Sequence, residues 1–113
     1  MKIFPISKTI HKIDLNGSFD ALIAPEFTKE VDALNLEKQS YVIIDLAAVN
    51  FIDSAALAAL VRGMKHYRQN NGELYLVNMQ TPVRIIFELT RLTCAFSIFP
   101  TAADALADIH TEN

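Results

Sequence analysis

Tyr41-Val42-Ile43-Ile44-Asp45-Leu46 runs straight into Ala47-Ala48-Val49-Asn50-Phe51-Ile52-Asp53-Ser54-Ala55-Ala56-Leu57, and this stretch decides the fold. Its first six residues are nearly all apolar, without polar alternation. Such a run suits a central strand of a parallel sheet, covered on both faces. Ser54 then reads as a helix N-cap, and a helix is expected from there to about Asn70, where Asn71-Gly72 is a stop signal. A buried strand feeding directly into a helix is the building unit of an α/β layer fold.

Downstream, Leu74-Tyr75-Leu76-Val77 reads as the next strand. Thr81-Pro82 opens a third helix, an N-cap followed by proline at the first helical position, with Val83, Ile86, Phe87 and Leu89 as its core residues. Ser97-Ile98-Phe99 is a short last strand. Thr101 through Asp104 resembles a capping box with Asp in place of Glu, starting a final helix whose Leu106 and Ile109 point inward. Upstream, Pro25 and Glu26 begin a first helix with an apolar stripe of Phe27, Val31 and Leu34. Ile3 to Ile6 and Ile10 to Leu15 are strands that reverse near Ser7-Lys8. In the second, Ile13 and Leu15 share one face and Lys12 and Asp14 the other. The order is β-β-α-β-α-β-α-β-α: residues 1–113 as a single domain, a mixed and mostly parallel sheet with about four helices and one antiparallel edge strand.

Composition removes several functional classes. The three glycines, Gly17, Gly63 and Gly72, are isolated, so no Walker loop or GxGxxG turn can bring backbone N–H groups onto a phosphate. The single Cys94 excludes an internal disulfide framework and a multi-cysteine zinc site. His11, His66 and His110 have no ligand partners at metal-binding spacing, so neither metal nor cofactor is implied. The chain has no apolar run near the roughly 20 residues that span a bilayer, and no signal-peptide core. Net charge is −3, against the basic stripe of a nucleic-acid binder. Asp45 ends an apolar strand as a receiver-domain phospho-acceptor does, but the acidic pair and the later lysine of a receiver are missing. No nucleophile–base pair is visible. The expectation is a cytoplasmic domain without catalytic activity.

The segment from Asp45 to Leu57 resembles the signature of the STAS domain family, the fold of bacterial anti-sigma factor antagonists and of cytoplasmic domains of sulfate transporters. Leu15-Asn16-Gly17-Ser18-Phe19-Asp20 is similar to the family's earlier turn, and Arg91-Leu92-Thr93 with the Phe96 to Leu106 stretch to its last strand and helix. The resemblance implies regulation by protein binding, with an anti-sigma factor of the serine-kinase type as partner. A cytoplasmic subunit or regulator of a membrane transporter is the alternative, and a nucleotide-binding domain resting on helix N-termini is a further one. On this resemblance the phosphate acceptor of regulated antagonists falls at Ala55, which has no hydroxyl, and the family's next glycine is Ala56. The reading is therefore an antagonist that lacks the usual phosphorylatable serine; Ser54 is a weak alternative acceptor, disfavoured because it reads first as the helix N-cap.

The expected docking surface combines Asp20, Asp53, Ser54, Ala55, Ala56, Ala59 and Arg62. Helical steps from an inward stripe of Leu57, Leu60, Val61 and Met64 place Ala55, Ala59, Arg62, His66 and Gln69 outward, a small apolar pad followed by a basic end. Asp20 and Asp53 are expected to order their turns by accepting backbone N–H bonds.

Overall fold

Five strands form one sheet whose spatial order is the chain order. The computed structural model describes residues 1–112. The strands are β1 (Lys2–Pro5), β2 (Ile10–Phe19), β3 (Tyr41–Ile52), β4 (Glu73–Val77) and β5 (Ser97–Phe99). The helices are α1 (Ala24–Ala33), α2 (Ser54–Gln69), α3 (Thr81–Leu89) and α4 (Ala102–Glu112), with a short 3₁₀ turn at Leu92–Cys94. β1 pairs antiparallel with β2, and every other pairing is parallel. The architecture and element order are those expected from the sequence.

Three crossovers each return to a parallel neighbour, and their usual right-handed sense puts α1, α2 and α3 on one face. The packing agrees. Phe27 and Val31 of α1, Leu60, Met64 and Tyr67 of α2 and Val83 and Phe87 of α3 share one core with Val42, Ile44, Leu46, Leu74 and Leu76 of the sheet. On the opposite face α4 sets Ala105 and Ile109 against Ile10, Tyr41, Ile43, Tyr75 and Val77. Val42, Ile43 and Ile44 are fully buried although they alternate faces, which is why the sequence there shows no polar period. Thr101 and Asp104 form half of the expected capping box: the Asp104 N–H donates to Thr101 Oγ1 at 3.2 Å, while Asp104 Oδ2 accepts the Thr101 hydroxyl at 2.9 Å and not its backbone N–H.

Three expectations are corrected. β2 and β3 continue to Phe19 and Ile52, beyond the Leu15 and Leu46 read from the apolar runs, because register shifts at Asp14/Asn16 and Gly17/Ser18 break the alternation without ending the pairing. Gln80, not Thr81, is the N-cap of α3, and it makes no side-chain capping bond. Leu89 is 76% exposed, since it lies a step off the face on which Val83 and Phe87 are buried.

α2 sits close to its neighbours because small residues line its buried side. A Cβ on Gly63 would lie 3.1 Å from Leu74 Cδ1 and 3.4 Å from Val31 Cγ1. Four residues on, the Tyr67 hydroxyl donates to the carbonyl of Val31 at 2.7 Å and satisfies an acceptor in the last turn of α1. Burial, with the Asp32 carboxylate second, raises the Tyr67 pKa well above its ordinary value. The folded state therefore holds this proton more tightly than the unfolded chain, and stability falls once pH rises past about 10. Tyr67→Phe should cost about 1–2 kcal/mol at neutral pH by stranding the carbonyl. It should also flatten the alkaline decline, as read by urea unfolding at pH 7 and at high pH.

Candidate functional site

β2 and β3 pair as far as Phe19 and Ile52, so they release the chain at the same level into two adjacent turns. Asp53 binds these turns together. Its Oδ1 accepts the N–H of Ala56 at 2.9 Å, and its Oδ2 accepts the N–H of Ala21 in the other turn at 3.0 Å. The Asp53 N–H in turn donates to the carbonyl of Phe19 at 3.3 Å. Asp20 orders its own turn, accepting the N–H of Leu22 on Oδ1 at 3.0 Å. Both aspartates thus take backbone N–H bonds, and Asp53 does so across 32 residues of chain.

This geometry moves the helix cap. Asp53 has the extended backbone and the side-chain bond of an N-cap, so the capping role read for Ser54 belongs to Asp53. Ser54 is the exposed first residue of α2, and its hydroxyl makes no hydrogen bond among the described residues. A strand that ends in an extended residue hands the cap to that residue, which a sequence rule favouring serine and aspartate alike cannot resolve.

The α2 face is also rotated from the expected one. Ala56, Ala59, Leu60, Gly63, Met64 and Tyr67 are the buried residues, while Leu57 and Val61 are only half-buried. Ala56 is fully buried and offers nothing to a partner, so it leaves the docking set; Ala59 is 9% exposed. The reason is the close approach of α1, which selects small residues for the inner side where sequence reading ranks large apolar ones. Ala55 stays half-buried, and Ser54, Ala58 and Arg62 are exposed. Ala58 and Leu22 are exposed as well, two residues outside the expected set. Leu22, 86% exposed in the turn that Asp53 pins, is the most exposed large apolar residue described. Its signal in the sequence was a leucine next to a turn-forming Asp20, outside any periodic stripe.

Between α1 and α2 lies an open groove of about 530 Å³, lined by Ala21, Ala24, Pro25, Thr28, Ala55, Ala58, Ala59 and Arg62. Arg62 crosses to α1 in a two-pronged pair with Asp32, at 3.1 and 3.0 Å, which raises its pKa further. The groove has apolar walls of small side chains, and Arg62 is its one charged lining residue. Among the described residues no group of three His, Cys, Asp or Glu side chains stands where it could hold a metal ion, and no helix is long and apolar enough to cross a membrane. Asp45 is on the other sheet face, accepting from Asn78 Nδ2 at 3.2 Å and lying 3.6 Å from Lys12 Nζ.

The profile of the STAS domain matches residues 3–105 of the chain. The protein belongs to the STAS domain family. Among curated relatives, BtrV of Bordetella bronchiseptica, assigned as an anti-sigma factor antagonist, is 32% identical over 100 residues that cover 83% of this chain and 84% of BtrV. The anti-sigma-B factor antagonist of Listeria monocytogenes is 30% identical over 77 residues, 68% of each chain. Among solved structures, an anti-sigma factor antagonist from Mycobacterium paratuberculosis superposes with a TM-score of 0.79 and 25% identity, covering 96% of this STAS protein and 95% of that chain.

Proposed function

We propose that this STAS protein is an anti-sigma factor antagonist that binds an anti-sigma factor of the serine-kinase type, and that Ser54 is the residue through which the kinase controls it. The carrying observation is the double role of Asp53. By capping α2 and pinning the Ala21 turn, its carboxylate leaves the Ser54 hydroxyl exposed and unengaged at the helix start. The phosphate acceptor expected at position 55 therefore moves one residue back, to a side chain that has a hydroxyl. The exposed Leu22, Ala58 and Arg62 and the half-buried Ala55 supply an apolar anchor, a smooth pad and a cation for docking.

The switch follows from helix-end chemistry. The first N–H groups of a helix have no intrahelical acceptor, and only some are satisfied here by Asp53. A phosphate on Ser54 is thus tolerated by the helix end. It also adds about −1.5 to −2 charge, with its hydration, beside a pad that admits close approach only because its side chains are small. Docking would have to strip that hydration, so the phosphorylated form releases its partner.

Two measurements test this. The protein purified from its own cells should carry phosphate on Ser54 and nowhere else in the Asp53–Leu57 turn, by peptide mass mapping. Affinity capture should recover a kinase-type anti-sigma factor with the wild type and with Ser54→Ala, while Ser54→Asp binds it at least about tenfold more weakly. Recovery of transport components with no anti-sigma factor overturns the partner, and phosphate on another residue overturns the switch.

A further inference from the structure

The outer face of α2 changes character along its length. Its 16 residues include no Asp or Glu, and its second half carries Arg62, Lys65, His66 and Arg68 in a chain whose net charge is −3. A second groove of about 470 Å³ runs along this half, lined by Ala58, Val61, Arg62, Lys65, His66 and Gln69. It shares Ala58 and Arg62 with the groove beside Ser54, so the two form one continuous surface. Ala58 and Val61 give it an apolar part and Arg62, Lys65, His66 and Gln69 a polar one, with the part-exposed Asp32 carboxylate beside Arg62 and His66.

The basic side chains differ in what they have free. Arg68 is spent within the fold, donating to Glu73 at 3.0 Å and to the carbonyl of Ala95 at 2.8 Å. Arg62 is paired with Asp32, and His66 Nδ1 lies 3.5 Å from the same carboxylate. Asp32 therefore fixes the positions of two side chains on the rim. Lys65 is exposed and makes no ion pair among the described residues. A pre-positioned Arg62 with an unspent Lys65 one turn away, beside that apolar part, is complementary to an amphipathic segment with acidic flanks.

We infer that the groove formed by Ala58, Val61, Arg62, Lys65, His66 and Gln69 receives an acidic amphipathic helix of the partner, lying along the second half of α2. The segment sets aliphatic side chains on Ala58 and Val61 and aims a carboxylate at Lys65 and the outer edge of Arg62. This deepens the proposed function by naming the chemistry of the partner, and it rests on that reading.

The test uses defined probes and so does not depend on which partner is captured. The ¹⁵N-labelled full chain is titrated with a helical peptide bearing a Leu/Ala stripe flanked by Glu, and separately with its twin in which every Glu is Lys. The acidic peptide should shift the amides of Ala58, Val61, Arg62, Lys65, His66 and Gln69 in a saturable way, and the basic twin should not. Lys65→Glu, an exposed change that leaves the fold intact, should weaken the acidic peptide about tenfold. Raising salt from about 0.05 to about 0.2 M should weaken it as well. Equal binding of the twins, shifts centred elsewhere, absence of saturable binding, or unchanged affinity in Lys65→Glu would each overturn the inference. So would concentration-dependent self-association in sedimentation that Lys65→Glu abolishes, because the face would then belong to a second copy. Failure here with an anti-sigma factor still captured leaves the proposed function standing, and the reverse result removes that reading alone.

Discussion

Gly72→Ala should lower stability by at least about 3 kcal/mol, beyond the ordinary cost of overpacking. A Cβ on Gly72 would lie 1.8 Å from the carbonyl oxygen of Ser40 and 2.8 Å from its carbon. Those atoms are backbone, so no side chain can swing away. They also sit where β3 and β4 begin to pair, at Tyr41 and Glu73, and the Ser40 carbonyl accepts the Glu73 N–H at 3.3 Å. Any shift that relieves the clash pulls at the start of two central strands. Thermal unfolding should show a midpoint roughly 10–15 °C below wild type. Gly63→Ala is the control. Its Cβ would meet the ends of the Leu74 and Val31 side chains, which can adjust, and alanine favours the helix by about 1 kcal/mol over glycine. The two substitutions should therefore differ sharply; similar midpoints would show that the Ser40 contact is soft.

Asp53→Ala should weaken both the fold and partner capture. Loss of the cap on α2 costs about 1 kcal/mol, and the Ala21 N–H loses its acceptor, for a total of about 1–2 kcal/mol. The functional loss should be larger than stability alone explains, because the turn carrying Leu22 is no longer tied to the start of α2. Asp53→Asn separates the parts: its one amide oxygen can keep the cap but not both bonds, so its stability should fall between those of wild type and Asp53→Ala. Urea unfolding and binding to the captured partner measure both effects. Wild-type stability in Asp53→Ala would show that the carboxylate does not hold the two turns together.

Most of the fold was legible because burial on two faces leaves an unmistakable trace. Tyr41 to Leu46 and Leu74 to Val77 are apolar without interruption, and each is followed by a helix with its own turn signals. What was not legible depends on contacts between segments far apart in sequence. The extension of β2 through Asn16-Gly17-Ser18 looks like a loop by composition, yet its bulges keep it paired to β3. The rotation of α2 reflects its packing against α1, 20 residues or more upstream, with Ala56, Ala59 and Gly63 among its buried residues. At the site, the Asp53–Ser54 pair was visible, but two good capping residues in a row do not say which one caps. The extended backbone of Asp53 and its bond to the Ala56 N–H decided it, leaving Ser54 exposed.

The coincidence of spatial and chain order in the sheet has a consequence for how the molecule is made. As the chain leaves the ribosome, each new strand meets its partner as the current open edge, and no strand must wait for one synthesised later or insert between two already joined. Domains assembled from the N-terminus during synthesis favour such a route. The face that α1, α2 and α3 cover is thus completed strand by strand, whereas the opposite face stays open until the 11-residue α4 arrives. The groove between α1 and α2, with the turns before them, is finished while the other side of the sheet is still bare. A nascent chain therefore completes this face before it acquires its full stability.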